Sequence, residues 1–73
     1  MPLREVLAAN IKNARNNLKL TQEQLAQIAD ISVTNIRSLE HFRANPRLDT
    51  LERLAAALGM SVPELFYEHR ETK

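Results

Sequence analysis

The chain has 73 residues, no cysteine, a formal charge of +1 and a 44% hydrophobic composition. A chain of this length buries only about 60% of its unfolded surface, enough for one thin core but not for a deep catalytic cleft. The missing cysteines exclude disulfides and thiolate metal sites, and one glycine with three prolines is too little turn chemistry for a barrel or sandwich of short strands.

An all-α single domain over residues 1–73 is expected, with a core over 4–66 and a frayed tail at 69–73. Leu3, Leu7, Ile11, Ala14 and Leu18 recur at three- and four-residue steps and predict a first helix over 3–18. It stops near Asn16, Asn17 and Lys19 without a glycine. Thr21-Gln-Glu-Gln24 reads as a capping box, opening a second helix over 22–29 that is expected to bury Leu25, Ile28 and Ala29. Asp30 and Ile31 lead to Ser32, a second cap, and a third helix over 33–41.

Pro46 pushes Asn45 out of the helical region, so 42–47 is expected to be a loop. A fourth helix over 48–58 carries Leu48, Leu51, Leu54, Ala55 and Leu58, and Gly59 stands where a left-handed cap belongs. Ser61 and Pro63 predict a fifth helix over 62–68, with Val62, Leu65 and Phe66 facing inward.

Charge is unevenly spread. Residues 1–20 carry Arg4, Lys12, Arg15 and Lys19 against Glu5. Residues 48–73 carry Arg53, Arg70 and Lys73 against Asp49, Glu52, Glu64, Glu68 and Glu71. A basic leading part and an acidic end cancel, which also describes an ordinary solvated surface. No apolar run is long enough to span a membrane, and Met-Pro-Leu-Arg-Glu is no signal-peptide opening, so a cytoplasmic protein is expected.

Residues 21–40, two short capped helices joined by about three residues, form a helix-turn-helix pattern. At about 100° per residue from Val33, Ile36 and Leu39 fall near 300° and 240° on an inward arc. Val33, Arg37, Thr34 and Ser38 fall near 0°, 40°, 100° and 140° on the opposite side. That outer arc is small, hydrogen-bonding and singly basic, suited to a DNA major groove about 12 Å wide. There Arg37 favours guanine O6 and N7, and Val33 or the Thr34 methyl can pack on a thymine methyl. Arg43, just after the third helix, suits a phosphate.

Leu-Thr-Gln-Glu-Gln-Leu-Ala (20–26), Ile-x-x-Leu-Glu (36–40), Asn-Pro (45–46) and Leu-x-x-Leu-Ala-x-x-Leu-Gly-x-Ser (51–61) stand in fixed order and spacing. With these motifs the chain resembles the DNA-binding domain of the lambdoid phage repressor and Cro class, the XRE family, over about residues 4–66. The resemblance implies a compact five-helix, lambda-repressor-like domain. Gln22, Ser32 and Asn35 match backbone-contacting positions, and Val33, Thr34, Arg37 and Ser38 match base-reading ones. It further implies a structural ion pair between Arg15 and Glu40, tying the first helix to the third. Homodimerisation is implied through Met60, Val62, Phe66 and Tyr67, on a palindromic double-stranded operator.

Two positions that commonly hold glycine in the family hold Asp30 and Phe42 here. Asp tolerates a left-handed turn better than most residues. Phe42 either packs over the junction of the third and fourth helices or lies at a dimer or partner surface.

Catalysis finds no support. His41 and His69 are the only histidines, and neither belongs to a cluster with metal-ligand spacing. Glu64, Glu68 and His69 read as a solvated tail. No enzyme activity, cofactor, metal, small-molecule ligand or membrane partner is expected. A sequence-specific transcriptional regulator, repressor or controller, is the leading reading. The alternative is a protein-interaction module on the same scaffold, an antitoxin or bridging factor, with DNA binding secondary.

Overall fold

The computed structural model describes residues 2–41 and 45–68. Four α-helices follow one another, α1 (Leu3–Asn17), α2 (Gln22–Ala29), α3 (Val33–Glu40) and α4 (Leu48–Leu58), and a single 3-10 turn, Pro63–Phe66, completes the core. The described residues contain no strand.

The helix starts are chemical. At α2 both halves of the capping box form, Gln24 N to Thr21 Oγ1 at 3.0 Å and Thr21 N to Gln24 Oε1 at 2.8 Å. At α3 the Ser32 hydroxyl accepts from the Asn35 amide at 3.1 Å. Asp49 stands in the first turn of α4, where the helix dipole favours an acid.

The stops share one device. A left-handed residue follows each of α1, α2 and α4: Lys19 at φ 60°, one residue beyond Leu18, and Asp30 at φ 60° and Gly59 at φ 70° directly after their helices. Each stop closes with a six-residue hydrogen bond, Leu20 N to Arg15 O at 3.1 Å, Ile31 N to Ala26 O at 3.0 Å and Met60 N to Ala55 O at 2.8 Å. These are Schellman motifs, and two of the three rest on a residue that is not glycine. The stop at Lys19 has no glycine signal in the sequence.

α2 packs on both α3 and α4, while α1 lies across α3, α4 and the 3-10 turn. Ile11, Leu25, Ile36, Leu54 and Leu65 are fully buried at the centre. Ile28 departs from expectation at 57% exposed. The small Ala26 and Ala29 let α3 and α4 close in, so the buried arc of α2 runs through Leu25, Ala29 and Ala26. Ile28 lies about 100° from the centre of that arc. Leu3, Leu18 and Leu48, at the helix ends, are also exposed.

The expected fifth α-helix over 62–68 is corrected to the 3-10 turn Pro63–Phe66, and the backbone is already extended at Tyr67. Asn10 supplies the reason. Its side chain is buried in α1, and its Nδ2 donates to the carbonyls of Leu65 at 2.8 Å and Tyr67 at 2.7 Å. Holding both carbonyls from α1 ties the chain to that helix as it leaves the 3-10 turn in extended form.

Candidate nucleic-acid interface

α3 follows α2 after three residues, and each of the three is fixed. Asp30 makes the left-handed turn, Ile31 closes it, and Ser32 caps the new helix. From below, Arg53 of α4 donates to the Asp30 carbonyl at 3.0 Å. Ile36 and Leu39 then seat α3 on the core at 0% and 2% exposed. Seating that face leaves Thr34 and Arg37 exposed, with Ser38 and Asn35 half-buried beside them. Val33 is half-buried and packs against the core, so it shares its surface between core and outer face.

A polar network ties this face to α1 and α2. Arg15 Nε and Nη2 donate to the two carboxylate oxygens of Glu40 at 2.8 and 3.1 Å, a bidentate pair. Arg15 Nη1 caps the Leu20 carbonyl at 2.8 Å. Gln22 Nε2 donates to Glu40 Oε1 at 3.0 Å, and Gln22 Oε1 accepts from Arg37 Nε at 3.3 Å. Arg37 Nη2 reaches Glu23 Oε2 at 3.1 Å. One chain of contacts therefore runs from α1 through the first turn of α2 to the outer face of α3. Burial pushes the Glu40 carboxyl up, but hydrogen bonds from Arg15 and Gln22 and the charges of Arg15 and Lys12 outweigh it and hold its pKa below the ordinary value.

The remaining residues of interest divide by place. Arg43 and Phe42 lie outside the described residues. Met60, Val62 and Phe66 are half-buried against the core, while Tyr67 is 57% exposed. A groove of about 530 Å³ separates α1 from the end of α4, lined among others by Ala14, Leu18, Leu58 and Met60.

Three contributors are absent from the sequence reading. Asn10 could have been found, because a polar residue three places after Leu7 on an apolar stripe needs a buried partner. Glu23 and Arg53 leave no local signal, since their partners Arg37 and Asp30 lie across the fold.

Comparison with known proteins agrees with this geometry. The helix-turn-helix family model (HTH_3) matches residues 11–65. Control protein C.SmaI of Serratia marcescens is 46% identical over 65 residues, which is 89% of this chain and 77% of that protein. The immunity repressor protein of Bacillus phage phi105 is 45% identical over 58 residues, 80% of this chain but only 40% of the repressor. Among solved structures, a hypothetical transcription factor from Neisseria superposes with a TM-score of 0.87 at 36% identity, covering 90% of this chain and 76% of that one.

An α3 presented across a fixed turn by a capped α2 defines a helix-turn-helix protein. The chain belongs to the HTH_3, XRE-type, helix-turn-helix family. It is a DNA-binding transcriptional regulator and not an enzyme.

Proposed function

We propose that the chain reads a palindromic operator as a homodimer, with α3 of each subunit in a major groove. The observation that carries this is the seating of α3. Ile36 and Leu39 are buried while Thr34 and Arg37 face outward from a turn fixed on both sides. Arg37, Thr34, Ser38 and the outer methyl of Val33 read base edges, and Gln22, Ser32, Asn35 and Arg43 meet phosphates. Arg37 is the only one of the base readers with a fork suited to guanine O6 and N7.

A single domain of this size contacts few base pairs, so operator affinity calls for two half-sites about 34 Å apart. The proposed dimer surface is Tyr67 with Met60, Val62 and Phe66. Its support is the exposed aromatic ring of Tyr67, which the monomer core leaves in water. A cytoplasmic regulator acting as repressor or controller accords with the control protein and the immunity repressor it is similar to.

Footprinting on mixed genomic DNA at two salt concentrations tests the proposal. A defined, two-fold symmetric footprint should persist while affinity falls with salt. A footprint without symmetry, or uniform coverage at both salt concentrations, would overturn it.

A further inference from the structure

Arg37 does not hang free from the outer face of α3. Its Nε meets Gln22 Oε1 at 3.3 Å and its Nη2 meets Glu23 Oε2 at 3.1 Å. Both contacts use the same side of the planar guanidinium, the edge formed by Nε and Nη2. A guanidinium has five N–H donors in a rigid fork, and a guanine needs two of them on one edge. The terminal edge, Nη1 with the second hydrogen of Nη2, remains. Among the described residues Nη1 makes no hydrogen bond.

Glu23 stands in the first turn of α2, where the helix dipole favours an acid, a contribution that needs no contact with Arg37. The Glu23–Arg37 pair is open to solvent, with side chains 66% and 51% exposed, and an exposed pair of this kind contributes little to stability. Its carboxylate also stands beside the face that is to approach DNA, where it repels phosphates. An acid at that place weakens binding to DNA of any sequence.

We infer that Glu23 is a positioning residue for Arg37. Together with Gln22 it clamps one edge of the guanidinium and so directs the terminal fork toward a single guanine. This rests on the reading of Arg37 as a base reader. In the clamped state the fork is pre-oriented, so correct pairing costs less side-chain entropy than for a freely rotating arginine. At a site lacking the guanine, the repulsion remains and nothing offsets it. Glu23 thereby raises discrimination while lowering affinity for DNA in general.

The test is a double-mutant cycle on two duplexes, the site selected by the wild-type protein and the same site with the guanine pair read by Arg37 replaced. Affinities are measured for wild type, Glu23→Ala, Arg37→Ala and the double variant, with melting temperatures to establish equal folding. Glu23→Ala should bind unrelated DNA more tightly and lose about tenfold in discrimination between the duplexes. Glu23→Gln, which keeps an acceptor for Nη2, should recover part of that discrimination. In the Arg37→Ala background, adding Glu23→Ala should leave discrimination unchanged.

If Arg37→Ala abolishes discrimination while Glu23→Ala retains it, the positioning role fails and the base-reading role stands. The positioning role also fails if Glu23→Ala lowers discrimination equally with and without Arg37. If Arg37→Ala itself leaves discrimination intact, the base-reading role fails and this inference falls with it.

Discussion

Glu40 keeps its charge at a position where its side chain is only 2% exposed, because Arg15 meets both carboxylate oxygens and Gln22 adds a third bond. Taking away one partner of such a pair leaves a buried charge without compensation, which costs about 3–5 kcal/mol. Arg15→Ala should therefore lower the melting temperature by ten degrees or more, at about 4–8 °C per kcal/mol for a domain of this size. Glu40→Gln should lower it as well, and a variant that melts with the wild type would show that the pair contributes nothing.

The pKa of Glu40 is lowered on folding, so its contribution is fully present above the ordinary glutamate value of about 4.3. It is lost as pH falls through the lower folded value. Denaturant melts between pH 7 and pH 3 should show a steeper loss for the wild type than for Glu40→Gln. Equal slopes would contradict the assignment.

At the scale of the elements, the start of each helix was legible and the stops were less so. Thr21, Gln24 and Ser32 act within three residues of themselves, so their side chains declare the caps that they make. The α2 boundaries accordingly agree with the sequence reading, and those of α4, whose start has no side-chain cap, agree through its apolar spacing and Gly59. Lys19 takes a left-handed turn that no local feature announces. The six-residue bond from the Leu20 amide to the Arg15 carbonyl holds it there, and Arg15 Nη1 donates in turn to the Leu20 carbonyl. The 3-10 turn at Pro63–Phe66 escaped for a related reason: Asn10 holds the Leu65 and Tyr67 carbonyls from 55 and 57 residues away.

Of the outer face of α3, the angular positions of Thr34, Arg37 and Ser38 were readable. The Gln22 and Glu23 contacts of Arg37 were not, because they depend on how α2 meets α3. Lys19→Gly removes the Cβ penalty at φ 60°, about 1–2 kcal/mol, and adds unfolded-state entropy of about 0.4–1 kcal/mol. The variant should thus be more stable by about 0.5–1 kcal/mol in urea melts. A loss of stability would show that the Lys19 side chain itself holds the stop.

On the scale of the whole molecule, near-neutrality conceals a division of labour. Of the basic residues in the leading part, Arg15 is spent on Glu40. With a formal charge of only +1 the chain offers little bulk attraction for phosphates, so recognition depends on placed contacts more than on bulk charge. In the proposed dimer, pairing of two copies doubles those contacts. Tyr67 enters the fold through its backbone carbonyl, which Asn10 holds, while its ring stays exposed. Tyr67→Asp should then leave the melting temperature of the monomer nearly unchanged and shift sedimentation equilibrium toward the monomer, with a matching loss of operator affinity. Wild-type self-association in that variant would place the dimer surface elsewhere.

In the proposed complex α3 reads base pairs through Arg37 from two symmetric copies. Selection of bound sequences from a random duplex pool tests it most directly, carried out with the wild type and with Arg37→Ala. The wild type should enrich two inverted half-sites about one helical turn apart. Each should contain a guanine whose preference disappears in Arg37→Ala while the other positions persist. Enrichment of no motif, of an unpaired half-site, or of the same guanine in Arg37→Ala would contradict it.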